Sequence, residues 1–346
     1  MVDKNTDFFK YINNFAKTER IPSIEVIKST IAFKPKVTIA IPTYKRSNLL
    51  KEAIDSAIKQ ENYNDYDIIV VDNDPERFCE TERLIRSNPN PRLSYYKNSE
   101  NLGMAGNWNR LFTLAKGEYV VMLHDDDLLL PNFLKKTTDI VTNNNEIDFL
   151  RPTYHPFYDE INEEEINSLP KFSEKLKKLN FFSFYSGNIV GAPIGVVIKK
   201  SAMLNFGGFN QDFYPSLDFC FFAFFSKYHK IYFYDDCLAL YRYFQNESLK
   251  NETLNNYIKL NYYLVSKILK EYFIPNFIIK NYLGHNLPKT VQIYKDVVNP
   301  NFEFDDENLG WIKTNNNFMG IISDKFLISI DLGLKFISLI RAKVGC

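Results

Sequence analysis

The sequence predicts an α/β fold with a Rossmann-like, mostly parallel sheet flanked by helices, and three observations carry that expectation. Strand and helix periodicities alternate from residue 37 to residue 123, the signature of parallel strands joined by right-handed crossovers. Two nearly uninterrupted apolar runs, at residues 66–71 and 118–123, each empty into acid, as strands buried on both faces do when their carboxyl ends hold a ligand site. The chain has 346 residues and is 45% hydrophobic, enough for a large buried core.

Taken in order, residues 1–35 read as an N-terminal segment of one or two short helices, with Phe8, Phe9, Tyr11, Ile12 and Phe15 as its packing face. Val37 to Ile41 form the first strand, stopped at Pro42, which has no N–H for a central ladder. Ser47 or Asn48 caps a helix whose Leu49, Leu50, Ala53, Ile54, Ala57 and Ile58 share one face. The strand at 66–71 follows, then a polar stretch and a short strand near 92–96. A helix from about Met104 to Lys116 stops at Gly117, a left-handed terminator, before the strand at 118–123.

Pro131 suits the first turn of another helix. Residues 152–188 look like a long loop with some helix, followed by a strand at 194–198, a Gly207-Gly208 turn and an aromatic helix at 217–228 that carries Asp218. A strand pair at 231–234 and 238–243 closes the half, and residues 253–296 are helical. The expected domains are therefore 1–35, a main α/β domain at 36–250 divided near residue 130 into two halves, and a helical C-terminal extension at 251–346. Within that extension, 326–341 reads as a packed helix, with an interfacial helix on an acidic membrane surface as the alternative.

Lys plus Arg and Asp plus Glu both number 42, so no bulk positive charge points to nucleic acid. Cys79, Cys220, Cys237 and Cys346 are scattered without a CxxC pair, which argues against a zinc site or a disulfide framework. The polar start and the lack of a long apolar run lead to a cytoplasmic expectation, with peripheral contact on the inner face of the plasma membrane through 326–341 left open.

The chemistry concentrates at the two acidic strand ends. Asp125, Asp126 and Asp127 repel one another, and a shared divalent cation relieves that field. A solvated acidic turn is the plainer reading of this run alone, but Asp72-Asn73-Asp74 ends a second strand in the same half-chain. There is no GxGxxG after the first strand, which excludes the usual dinucleotide site, and the loop Pro42 to Arg46 lacks the glycines of most nucleotidyltransferases.

These pieces, in this order from about residue 36 to 248, resemble family-2 glycosyltransferases of the GT-A fold. Ile39 to Arg46, with Pro42, Thr43, Tyr44 and Arg46, resembles the opening strand and loop. Val70-Val71-Asp72-Asn73 is similar to the segment that receives the nucleobase and ribose. Asn101-Leu102-Gly103 with Asn107 and Asn109 resembles the N-x-G element and its helix. Leu123 to Asp127 with Pro131 is similar to the metal-binding motif, Gly207-Gly208-Phe209-Asn210 with Asp218 to the turn before the acid-bearing helix, and Tyr241-Arg242-Tyr243 to a segment near the domain's end. His124 stands where the motif usually has its first acid, and Leu217 where an acid often precedes the base.

The resemblance implies transfer of a sugar from a nucleotide-sugar donor, UDP-linked by expectation, to a hydroxyl of a growing bacterial surface glycan or lipid-linked saccharide. Mn²⁺ or Mg²⁺ is expected on Asp126 first, with Asp127, Asp125 and His124 as the other candidates. Asp218 is the expected general base of an inverting reaction, a helix cap being its structural alternative. Asp72 is expected to accept from a base N–H beside Thr43 and Tyr44, with Asp125 on the ribose and Arg242 on the diphosphate or an acceptor charge, a surface ion pair being its plainer reading. A sugar-nucleotide nucleotidyltransferase and a non-catalytic glycan-binding module are the competing classes.

Overall fold

The structure is a computed structural model that describes residues 6–158, 161–170, 172–243, 250–297, 300–305, 309, 312 and 319–331. The chain falls into two compact units. The larger comprises Phe9–Asn180 and Val190–Phe244, and the smaller Met1–Phe8, Phe181–Ile189 and Gln245–Cys346.

The larger unit carries a mixed ten-stranded sheet. Its strands are β1 Ser23–Ile27, β2 Val37–Thr43, β3 Tyr66–Asp72, β4 Leu93–Asn98, β5 Tyr119–Met122, β6 Leu128–Leu129, β7 Phe149–Phe157, β8 Leu176–Leu179, β9 Val196–Lys199 and β10 Ile231–Arg242. Their order is β1-β4-β3-β2-β5-β9-β7-β10-β6, with β8 beside β10. The central four, β4-β3-β2-β5, are parallel. Antiparallel partners close both sides: β1 on β4, and β9 between β5 and β7. The unit's helices are α1 Ser47–Ile58, α2 Glu80–Ser87, α3 Gly103–Leu114, α4 Phe133–Asn143, α5 Glu163–Asn167, α6 Lys200–Phe206 and α7 Leu217–Tyr228.

β2 and β3 are buried at all seven positions, which is why their sequences show no polar alternation. The ladder between them runs from Val37 opposite Tyr66 to Thr43 opposite Asp72. Pro42 does not stop the strand, correcting that expectation. Thr43 O accepts from Asn73 N–H on the β3 side and Ala40 O from Leu123 N–H on the β5 side, so alternation turns Pro42 N toward β5. The β5 ladder has already ended at Met122 opposite Ala40, and the missing donor costs nothing there.

Three further expectations change. Between residues 6 and 35 the structure has a 3-10 turn at Ala16–Thr18 and strand β1 instead of α-helices, and Asn14 N–H donates to Gly207 O at 2.8 Å. The supposed loop after 152 begins as strand β7, which contains Pro152 and Pro156. It pairs with β9 only at Phe149 and Leu150, leaving one side of the strand without ladder bonds, the condition under which proline is tolerated. The expected strand pair at 231–243 is the single strand β10, whose register against β7 shifts around Cys237.

The smaller unit contains α8 Asn251–Glu271, α9 Asn276–Val297 and a helix at residues 319–331. Residues 332–341 of the expected terminal helix lie outside the described residues. No helix among the described residues is long and apolar enough to cross a membrane.

Candidate active site

The carboxyl ends of β2, β3 and β5 lie side by side, because the three strands are neighbours in parallel register. The loop after β5 carries the acids. Thr43 Oγ1, at the end of β2, donates to Asp125 Oδ2 at 2.7 Å. Arg46 Nη1 donates to Asp126 Oδ2 at 2.7 Å and stands 3.5 Å from Asp125 Oδ1. Lys45 before it takes a left-handed φ of 56°, a local strain in the loop that presents Arg46.

Asp127 is fully buried, and its Oδ1 accepts Arg242 N–H at 2.9 Å. Among the described residues its Oδ2 has no hydrogen-bond partner, with His124 Nδ1 3.6 Å away, and neither has His124 Nε2. His124, Asp126 and Asp127 each offer a ligand atom, and the three atoms lie within 4.8 Å of one another. The imidazole is held flat against Trp108, ring centroids 5.3 Å apart.

Burial and the neighbouring Asp126 charge push Asp125 up to about 6, against the pull of Thr43 and Arg46. The same two causes drive Asp127 well above the carboxylate range. Burial pulls His124 below its ordinary value, which favours the neutral imidazole. Buried acids that resist ionising, beside a neutral imidazole, fit a divalent cation that would restore their charge. One imidazole with two carboxylates suits Mn²⁺ better than Mg²⁺.

Arg242, expected at the diphosphate or in a surface pair, is instead a buried brace. Its Nε donates to Asp126 O at 3.0 Å and its Nη2 to Glu52 Oε2 of α1 at 2.6 Å, while its guanidinium lies over Phe157. It ties the end of β10 to the acidic loop. Glu52 carried no readable signal, since acids on an exposed helix face are common.

At the other strand end, Asp72 is fully buried, which corrects its expected role as acceptor of a base N–H. Its Oδ2 accepts from Tyr95 at 2.6 Å and Lys97 at 2.8 Å, and its Oδ1 from Asp74 N–H at 2.9 Å. Asn73 is also committed: it donates to Asn101 Oδ1 at 2.7 Å and accepts from Asn98 and Leu102 N–H. Asn107 binds Asn98 and Val71 O, and Gly103 opens α3 at a φ of 71° that favours glycine. Tyr44, by contrast, is exposed at the mouth of the β2 loop.

Asn109 clamps the glycine turn, donating to Phe209 O and accepting from Phe209 N–H, both at 2.8 Å. A Cβ on Gly208 would stand 2.5 Å from Asn109 Oδ1, so this position requires glycine. From the turn, Phe209 reaches Trp108 at 5.1 Å and Phe221 of α7 at 4.2 Å. Rings therefore link α7 through Trp108 to His124. Asp218 is half-buried in the first turn of α7, where its charge suits the helix dipole. The cap position is Ser216, two residues before it.

The structure thus gathers Thr43, Arg46, His124, Asp125, Asp126, Asp127 and Arg242 at one place. It places Asn73, Asn101, Gly103 and Asn107 in a bordering network, and Asp72 beneath it.

A family model described as "Glycosyl transferase family 2" matches residues 38–249. Among curated proteins, a putative colanic acid biosynthesis glycosyl transferase, WcaA of Escherichia coli, is 31% identical over 113 residues, 32% of this chain and 40% of that protein. A GalNAc(5)-diNAcBac-PP-undecaprenol beta-1,3-glucosyltransferase of Campylobacter jejuni is 30% identical over 187 residues, 52% of this chain and 56% of its own. The aligned stretch is therefore well short of either relative's full length. Among solved structures, S. aureus TarS in complex with UDP-GlcNAc superposes with a TM-score of 0.53 at 15% identity, covering 85% of this chain and 80% of that one. This likeness shows the fold, which is GT-A.

Proposed function

The chain belongs to glycosyl transferase family 2, and on that premise we propose that it is an inverting, metal-dependent enzyme that moves a sugar from a UDP-sugar to a hydroxyl of a growing bacterial surface glycan. The observation that carries this reading is the cluster of His124, Asp126 and Asp127, whose ligand atoms lie within 4.8 Å of one another. Ligand atoms brought together in this way, beside acids that burial raises at Asp125 and Asp127, favour a catalytic site over a non-catalytic glycan-binding module.

Asp126 and Asp127, with His124, would hold Mn²⁺ or Mg²⁺. When bound, that ion supplies Lewis-acid stabilisation of the departing diphosphate. Arg46, which pairs with Asp126, would stand beside the same site as a positive group for a donor phosphate. Thr43 orients Asp125 toward the ribose side of the same loop. Asn73, Asn101 and Gly103 fix the loop that borders the base, and Tyr44 offers an exposed ring face to it.

Asp218 accepts the proton of the acceptor hydroxyl as its oxygen bonds to the anomeric carbon from the face opposite the leaving nucleoside diphosphate, so that configuration inverts. General base help of this kind is worth roughly 10² to 10⁴ in rate. The acceptor is a glycan or lipid-linked saccharide, and the compartment is the cytoplasm, where nucleotide sugars are made. As domains, 36–250 would hold the catalytic centre and 251–346 a helical extension.

The test pairs two variants in a transfer assay with UDP-sugars and Mn²⁺. Asp126→Ala and Asp218→Asn should each lower turnover by at least roughly 10². Calorimetry should show that only the first weakens Mn²⁺-linked UDP binding. Normal turnover by both would overturn the assignment.

A further inference from the structure

The helix at residues 319–331 in the smaller unit has its polarity inverted. Its buried side carries Gly320, Ser323 and Leu327, with Asp324 and Asp331 half-buried beside them. Ser183 Oγ donates to Asp331 Oδ1 at 3.2 Å, and the two acids stand close enough to Tyr185 to add to the effect of burial on its hydroxyl, pushed up to about 12. Gly320 lies against His285 of α9, where an added Cβ would stand 2.4 Å from the His285 Cβ.

The outward side of the same helix carries Ile321, Ile322, Phe326 and Ile328, each at least 43% exposed. Between them are Lys325 and Ser329, with no acid. A helix covering a water-soluble domain has the opposite arrangement, its apolar stripe turned inward. Scattered exposed apolar side chains are ordinary, but four within eight residues on one helical face are not.

Two more features belong to the same unit. Asp331 is tied to Ser183, whose neighbours Phe181 and Phe182 pack on Tyr272. Phe273, next in the chain, is 93% exposed and Phe277 58%. The sequence that follows, 332–346, contains Lys335, Arg341 and Lys343 and no acid. Carboxylates turned inward, apolar side chains and Lys325 turned outward, and a basic sequence next to them are complementary to a negatively charged lipid surface.

We propose that the outward face of the helix at 319–331 is an interfacial membrane-binding surface that docks the protein on an anionic bilayer. The apolar side chains enter the acyl boundary while Lys325 meets the lipid phosphates. The proposal does not draw on the catalytic reading, since a protein without transferase activity would bind vesicles equally well.

Co-sedimentation of the full chain tests it, using vesicles of phosphatidylcholine alone and of an equal mixture of phosphatidylcholine and phosphatidylglycerol. The native protein should pellet with the mixed vesicles and partition at least ~10-fold less onto phosphatidylcholine alone. Ile322→Glu combined with Phe326→Glu should abolish pelleting, and Lys325→Glu should reduce it several-fold. All three positions are exposed, so thermal melts should stay unchanged, and Lys325→Glu remains decisive if the double variant unfolds. Native protein left in the supernatant with both vesicles would overturn the proposal, as would a double variant that pellets normally. A soluble dimer that binds no vesicles and dissociates in the double variant would also overturn it, because a second copy would then cover the face.

Discussion

The ends of β3 and β5 are both acidic and both buried, yet one is satisfied and the other is not. Asp72 has a lysine, a tyrosine and a backbone N–H on its two oxygens. Asp127, equally inaccessible, has a single backbone N–H on one oxygen and, among the described residues, no hydrogen bond on the other, from which His124 Nδ1 stands 3.6 Å. Evenly matched charge makes the first end part of the scaffold. At the second, Arg46 pairs with Asp125 and Asp126 while Asp127 keeps an oxygen without a hydrogen bond, so an acidic strand end reads as a ligand site only when its partners fail to add up.

Removing the partner at the satisfied end should have the largest effect. Lys97 is 1% exposed, and Lys97→Met would leave the Asp72 carboxylate buried without its cation. A loss of about 3–5 kcal/mol is expected in urea denaturation, with much of it recovered by adding Asp72→Asn. A loss below ~1 kcal/mol would show that Asp72 does not depend on Lys97, and the contrast between the two ends would disappear.

At the unsatisfied end the sign should reverse. Asp127→Asn keeps an acceptor for Arg242 N–H and removes a charge that burial and Asp126 both oppose. Stability should rise by about 1–3 kcal/mol, the range for relieving a poorly paired buried polar group, while Mn²⁺ binding measured by calorimetry weakens. A variant that is both less stable and unchanged in metal binding would make Asp127 a scaffold residue like Asp72.

The sequence made the acids legible but not their state. Position at a strand end follows from apolar runs and their termination, so the neighbourhood of Thr43, Asp72 and Asp125–Asp127 could be read directly. Whether an acid is paired depends on residues distant in sequence: Lys97 reaches Asp72 from β4, and Arg242 reaches Asp127 across 115 positions. Neither residue stands out locally, so the partners that Asp72 and Arg242 take in the structure are not readable from the pattern. The elements that escaped the pattern did so through local exceptions. β7 contains two prolines, and α2 buries Glu82 on the face where an apolar residue would have revealed it.

Glu82 offers the smallest effect and a separate test of the contrast through pH. It is fully buried beside the satisfied end and accepts from Arg77, Arg86 and Phe78 N–H at 2.9–3.0 Å. Hydrogen bonding from Arg77, against the cost of burial, lowers its pKa to about 2 from 4.5. A carboxylate depressed in the folded state stabilises the protein fully above its unfolded pKa, and that stability is lost as pH falls through about 2. Asp125 runs the other way: raised to about 6, it favours the folded state most below its ordinary 3.8 and loses that contribution as pH rises through about 6. Because both arginines are partly solvated, Glu82→Gln should cost only about 1 kcal/mol at neutral pH. The gap between native and variant melts should close as the pH falls from 4.5 toward 2, whereas a gap of constant size would mean that the arginines hold Glu82 by packing rather than by charge.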